Sequence, residues 1–136
     1  MRVESRGRAR ALQALYAWDV RPGQDLAKVA DRVWYDLAVS PEERAFAGLI
    51  VNTFIGAQDE LDAGLIDVTD NWRLERIGAI ERSVLRLGAA ELEQGITPPR
   101  VVIQEAVRLA ERFGSAESAR FVNGVLDAYA RKAGVL

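Results

Sequence analysis

Apolar residues recur at spacings of three and four along almost the whole chain, which is the period of an amphipathic helix. No stretch alternates apolar and polar residues as a half-buried strand does. The first apolar stripe predicts a helix over about residues 5–20, and a second stripe runs from Leu26 to Leu37. The pattern therefore predicts an all-α chain.

A third helix has a recognisable start and a polar end. Ser40-Pro41-Glu42-Glu43 has the composition of a capping box, with a serine N-cap, proline at the first helical position and glutamate three residues after the cap. The apolar stripe that follows predicts a helix to about Leu65. A polar break at Asp67–Asn71 comes next, and the helical pattern resumes at Trp72 and ends near Gly95.

Two further helices complete the chain. Thr97-Pro98-Pro99 predicts a turn into the next helix, Gly114 is its predicted C-cap, and the last helix frays near Gly134. We therefore expect one domain of 136 residues, a compact bundle of six or seven helices. The polar break predicts two packed halves, about 1–66 and about 72–134.

Composition narrows the function classes. The chain has no cysteine and no histidine, which excludes disulfides, thiol nucleophiles and His-based triads and disfavours zinc. Aspartate and glutamate remain for carboxylate chemistry, but the commonest general base is missing. We expect a protein that is not an enzyme and has no cofactor or metal. No apolar run reaches the roughly 20 residues of a membrane span, and the basic N-terminus lacks an apolar signal core, so we expect a cytoplasmic protein.

The first predicted helix carries a concentrated basic charge, although the net charge of the chain is only −2. Arg6, Arg10 and Gln13 share one helical face, and Arg8 is predicted to widen the basic surface. Guanidinium groups suit phosphates, and Tyr16 could stack on a base. The alternative interpretation is a solvated arginine face with Tyr16 in the core.

The segment from Phe113 to Ser118 is the second candidate site. A glycine C-cap at Gly114 followed by a serine N-cap leaves backbone N–H groups near a helix start, which favours an anion. Asn123 is unusual inside a helix, and it could hydrogen-bond within this corner or read a base. The alternative interpretation is an ordinary helix–helix corner.

The sequence resembles the NusB antitermination family over essentially its whole length, most weakly from about Arg21 to Asp67. The resemblance is carried by the strings Arg6-Gly7-Arg8, Leu12-Gln13-Ala14-Leu15-Tyr16, Leu74-Glu75-Arg76-Ile77, Glu81-Arg82-Ser83-Val84-Leu85-Arg86-Leu87 and Phe121-Val122-Asn123-Gly124-Val125-Leu126-Asp127.

The family resemblance implies a fold, a ligand and a partner. It implies two helical subdomains that bind the boxA element of nascent ribosomal RNA transcripts together with ribosomal protein S-ten (NusE). That complex helps RNA polymerase resist termination, so the polymerase is an indirect partner. Some family members are dimers, and a homodimer stays open.

By position, the resemblance assigns an arginine motif, an RNA-facing corner and a NusE-facing pair; these are Arg6 and Arg8, Phe113 and Glu117, and Tyr16 and Glu81. The stacking role of Tyr16 therefore yields to a partner role. The family often has arginines where Val3, Glu4 and Ser5 stand, so the basic arm here is thinner.

Two other functions fit a helical module of this kind. A similar module forms the N-terminal part of some ribosomal RNA cytosine methyltransferases, where a long catalytic domain should follow. A protein-binding scaffold with surface arginines is the other. A gel shift with boxA-like RNA, with and without NusE, separates the three.

Overall fold

The computed structural model describes residues 2–69 and 73–136, and within these ranges every regular element is a helix. The predicted all-α class with six or seven helices is confirmed. Six α-helices and one short 3-10 turn follow in order: α1 Val3–Asp19, α2 Leu26–Asp36, α3 Pro41–Asp67, the 3-10 turn Leu74–Arg76, α4 Ala79–Gln94, α5 Pro99–Phe113 and α6 Ala116–Lys132.

Polar side chains set three of the helix starts. Asp25 accepts a hydrogen bond from the backbone N–H of Lys28 at the start of α2. Ser40 accepts one from the N–H of Glu43 at the start of α3, as the capping-box pattern predicts. Ser115 caps α6 in the same way. Each cap satisfies a helix N–H that would otherwise lack a partner.

The boundaries differ from the sequence prediction in two places. Helix α3 extends to Asp67, two residues beyond the predicted end, and it is kinked at Ala57, where φ is −134°; the apolar spacing did not indicate this kink. Helix α4 begins at Ala79, after the 3-10 turn. The predicted restart of the pattern at Trp72 lies outside the described residues, as do Asp70 and Asn71 of the predicted break.

Helices α1, α3 and α4 pack against one another and against the remaining helices. Helix α1 packs on α2, α3 and α4, and α4 packs on α3, α5 and α6 as well. At the α4–α6 contact, a Cβ atom at Gly88 would lie 2.6 Å from Leu126, so glycine permits the close approach there. Buried residues of all six helices form one cluster. The division into an N-terminal and a C-terminal half stays a prediction. No helix in the described ranges is long and apolar enough to cross a membrane.

A charged network joins α1 to α4 inside the bundle. The Asp19 carboxylate, 8% exposed, accepts hydrogen bonds from both Arg82 and Arg86 of α4. Arg86 also binds Asp62 of α3 through two bonds of 3.0 Å. Burial would raise the pKa of Asp19, but the hydrogen bond from Arg82 and the charges of Arg82 and Arg86 lower it on balance. The network therefore fixes the end of α1 against α3 and α4.

Candidate nucleic-acid interface

The arginine face of α1, defined as Arg6, Arg10 and Gln13, lies at the surface of the bundle. The side chains of Arg6 and Arg10 are 40% and 29% exposed. Both donate through Nε to Glu43 of α3, at 3.2 and 3.1 Å, and Arg10 also donates to Gln13 Oε1 at 3.2 Å. The predicted common face is therefore confirmed, and it is braced from α3.

Glu43 has two roles at this face. It was expected to complete the capping box of α3, but its carboxylate binds the two arginines and accepts from the Ser40 hydroxyl instead. Desolvation would raise the pKa of Glu43, but hydrogen bonds from Arg10, Ser40 and Arg6 lower it overall. The carboxylate orients both guanidinium groups and also neutralises one of their charges.

Arg8 is not part of the basic surface, and the expectation that it widens this surface is wrong. Its side chain is 5% exposed and makes a bidentate pair with Glu91 of α4, at 2.7 and 2.6 Å. Glu105 of α5 lies 3.5 Å away, and the Phe46 ring covers the guanidinium. Arg8 follows Arg6 by two positions, which is about 200° around a helix, so Arg8 points into the bundle.

The arginine face adjoins the second predicted cluster. A groove of about 270 Å³, here the α1–α5 groove, is lined by Arg6, Ala9, Arg10, Gln13, Arg112 and Phe113. The structure thus brings Phe113, at the end of α5, beside four residues of α1 that are about a hundred positions away in sequence. This meeting could not be read from helical spacing within either segment.

Arg112 is a charged groove residue that the sequence analysis did not single out. Its guanidinium lies 4.9 Å from the centre of the Phe113 ring. Arg112 lies on the polar face of α5, where charged residues are expected. Only the position of α5 beside α1 distinguishes Arg112 from the other charged residues of that face. In the sequence, its position directly before Phe113 was the one feature that could have pointed to Arg112 as a site residue.

The corner from Phe113 to Ser118 is tightly built. Gly114 is the C-cap of α5, as predicted, and its N–H donates to Ala110 O at 2.9 Å. A Cβ atom there would lie 2.7 Å from Ser118 Oγ and 2.8 Å from that carbonyl, so the corner requires glycine. Ser118 is buried, whereas Glu117 is exposed in the first turn of α6.

Glu81, the predicted partner residue, contacts this corner directly. The Ser118 hydroxyl donates to Glu81 Oε2. A second pocket of about 400 Å³, here the corner pocket, is lined by Arg76, Ile77, Gly78, Glu81, Ser115, Glu117, Ser118 and Phe121. The structure therefore joins the predicted NusE-facing glutamate to two of the predicted RNA-facing residues.

Tyr16 and Asn123, two further predicted site residues, lie at the surface outside both pockets. Tyr16 is one turn beyond Gln13 on α1, and its side chain is 38% exposed. Asn123 is exposed in the middle of α6. Neither residue lines the α1–α5 groove or the corner pocket. The exposure of Tyr16 removes the alternative in which it belongs to the core.

Comparisons with known proteins agree with this architecture. The NusB family profile matches residues 5–131. A transcription antitermination protein NusB from Sorangium cellulosum is 42% identical, and the alignment covers 98% of this chain and 96% of the relative. The NusB of Solibacter usitatus is 39% identical, covering 97% and 91%.

Solved structures give the same result. A crystal structure of the antitermination factors NusB and NusE in complex with double-stranded RNA superposes with a TM-score of 0.88 at 28% identity, covering 97% of this chain and 98% of that chain. A T. maritima NusB structure gives 0.87 at 28% identity, covering 95% and 91%. By sequence along nearly its whole length and by fold, this chain belongs to the NusB family.

Proposed function

We propose that this protein is a transcription antitermination factor that binds the boxA element of nascent ribosomal RNA transcripts jointly with NusE. The observation that carries the proposal is the α1–α5 groove, where three arginines, an amide and an aromatic ring face one cavity. In this role the protein helps RNA polymerase resist termination, and it acts by binding rather than by catalysis.

The groove offers the groups that a single RNA strand needs. Arg6 and Arg10 bind phosphates, with Glu43 holding their guanidinium groups in place. The half-buried Phe113 ring receives a base, and Arg112 adds a cation at that ring. Gln13 donates to a base edge or a phosphate. Arg8 supports this site from inside, by fixing α1 against α4.

The corner continues the RNA path from Phe113. Gly114 allows close backbone approach, and the capped start of α6 near Ser118 carries the positive end of a helix dipole. Glu117 is exposed beside this path and repels phosphate. Asn123, exposed on α6, contacts the RNA beyond the corner.

Tyr16 and Glu81 bind NusE in this proposal. The hydrogen bond from Ser118 to Glu81 supports joint binding, because it couples the partner-facing carboxylate to the RNA-facing corner. NusE held at Glu81 would thereby order the corner for RNA. Such coupling is reciprocal, so RNA must raise the affinity for NusE by the same factor.

The comparisons favour this function over the other two. The curated relatives are named as antitermination proteins, and the chain covers 91–96% of the length of the two described above. A methyltransferase module would match enzymes with a further catalytic domain. The scaffold alternative predicts no RNA binding, so a binding measurement distinguishes it from the proposed function.

Fluorescence anisotropy with a boxA-like RNA, with and without NusE, tests the proposal. We expect binding of single-stranded boxA, tightened by NusE and weaker for a scrambled strand. A duplex of the same sequence is a necessary comparison, because the related complex contains double-stranded RNA. Absence of binding in both conditions would favour the scaffold.

Glu81→Lys tests the partner assignment separately. It should weaken NusE binding in titration calorimetry, because a cation replaces the carboxylate at the proposed contact. Glu75→Lys is the matched control, since Glu75 is an exposed glutamate on the preceding 3-10 turn. An unaltered NusE dissociation constant for Glu81→Lys would remove Glu81 from the interface.

A further inference from the structure

A second basic cavity adjoins the α1–α5 groove. This α5 arginine pocket, of about 410 Å³, lies between the start of α1 and the end of α5. It is lined by Arg2, Ser5, Glu105, Arg108, Leu109 and Arg112. Arg112 lines both cavities, so they share a wall. A strand that leaves the groove past Arg112 therefore enters the pocket directly.

We infer that the α5 arginine pocket binds phosphates of the RNA strand beyond the segment held in the α1–α5 groove. The inference rests on the proposed RNA binding and extends it to Arg2 and Arg108. These two residues line the α5 arginine pocket but not the α1–α5 groove. They therefore form a separate contact, which can be removed without altering the groove.

The charges in the α5 arginine pocket favour an anion. Arg2 and Arg112 are exposed, and the Arg108 side chain is 68% exposed. The carboxylate in the lining, Glu105, accepts from Ser5 Oγ at 2.8 Å and lies 3.5 Å from the buried Arg8. Arg8 is already paired with Glu91, so Glu105 keeps its negative charge in this lining.

The contact between Glu105 and Arg108 is weak. Their closest atoms are 3.8 Å apart, beyond hydrogen-bond distance, so the Arg108 guanidinium keeps its donors for a ligand. Three arginines outnumber this one carboxylate in the lining, which leaves the pocket positive. Exposed guanidinium groups in such a concave site bind phosphate oxygens as charge-assisted hydrogen-bond donors.

The spacing along α5 also suits a strand. Arg108 and Arg112 are four residues apart, which places them on one helical face and about 6 Å apart along the axis. That separation is close to the distance between neighbouring phosphates of an extended strand. Phosphate contacts of this kind add affinity without sequence preference.

RNA length is the variable that tests the inference. A core boxA-like strand is compared with strands extended by four uridines at the 5′ or the 3′ end, using anisotropy between 50 and 200 mM salt. The wild-type protein should bind one extended strand more tightly than the core strand. The double variant Arg2→Ala/Arg108→Ala should lose this gain and bind the core strand nearly as before.

The salt dependence gives the expected size. Loss of two phosphate contacts should lower the log–log salt slope for the extended strand by about 1.4, since each single-strand contact contributes about 0.7. The loss of affinity is then about sevenfold larger at 50 mM than at 200 mM. The matched control is Arg21→Ala/Arg32→Ala, which removes the same charge from exposed positions after α1 and on α2.

The outcomes separate this inference from the function on which it rests. If the core strand binds the wild-type protein neither alone nor with NusE, the proposed function fails. If the core strand binds but neither extension tightens binding, the inference alone is overturned. It is also overturned if Arg2→Ala/Arg108→Ala keeps the gain, or if the control pair loses as much.

Discussion

Helix α1 carries two sets of arginines that differ in environment although they alternate in sequence. Arg8 is enclosed by Glu91, Glu105 and Phe46 in the interior, whereas Arg6 and Arg10 stand at the surface and share Glu43. A buried charge must be paired to be tolerated, while an exposed one adds little stability and remains available to a ligand. The arginine-rich start of this chain therefore places Arg8 in the folded core, and it leaves Arg6 and Arg10 at the surface, where the proposed function assigns them to RNA.

Replacement of the buried Arg8 should have the largest effect on stability. Arg8→Met should lower the free energy of unfolding by about 3–5 kcal/mol, because Glu91 would remain buried without its partner. Denaturant titration measures the change. The double variant Arg8→Met/Glu91→Met should recover most of the loss, since apolar groups can replace a buried pair. A single variant as stable as the wild type would show that the pair is not structural.

Asp19 extends the comparison to the second buried network. Asp19→Asn should cost about 2–3 kcal/mol at pH 7, because it weakens the charged hydrogen bonds with Arg82 and Arg86. The pKa of Asp19 is lowered by folding, so its contribution is present above the unfolded value of about 3.9 and is lost as pH falls through the folded value.

The pH dependence provides the decisive measurement for Asp19. Unfolding free energies at pH 7 and between pH 5 and 2.5 should show the gap between wild type and Asp19→Asn closing below about pH 4. Asp67→Asn is the control, because Asp67 is an exposed carboxylate paired with Lys132 on the surface. Parallel curves for Asp19→Asn and wild type would contradict the role given to this carboxylate.

Replacement of the surface arginines Arg6 and Arg10 should change RNA binding more than the stability of the fold. Arg6→Ala/Arg10→Ala should lower the salt slope of RNA binding by about 1.4, as two lost phosphate contacts require. Stability should fall much less than in Arg8→Met, because Ser40 still donates to Glu43. Anisotropy at several salt concentrations checks this, with Arg21→Ala/Arg32→Ala as control. An unchanged slope together with a large loss of stability would make these arginines structural.

Helical periodicity was enough to predict the fold class and most helix positions, because each helix buries one face against the others. The shared face of Arg6, Arg10 and Gln13 also follows from spacing along one helix. The interior position of Arg8 does not, since it depends on Glu91 and Glu105, which lie on other helices. Arg112 was missed for the same reason. Contacts between distant segments are set by packing, which the sequence pattern alone does not reveal.

Replacement of Glu117 should have the smallest effect of these variants. Glu117 is an exposed acidic residue beside the proposed path of the RNA. It lines the corner pocket in the first turn of α6. Glu117→Gln removes a negative charge near the proposed RNA strand. RNA binding should tighten by a few tenths to about 1 kcal/mol at low salt, and the gain should shrink as salt screens it. NusE affinity should not change.

If Glu117 only stabilises the start of α6, the substitution should lower the melting temperature slightly and leave RNA binding unaltered. Anisotropy at two salt concentrations and a thermal melt separate these results. Weaker RNA binding would contradict both, because it would make the Glu117 carboxylate a hydrogen-bond acceptor for a base edge.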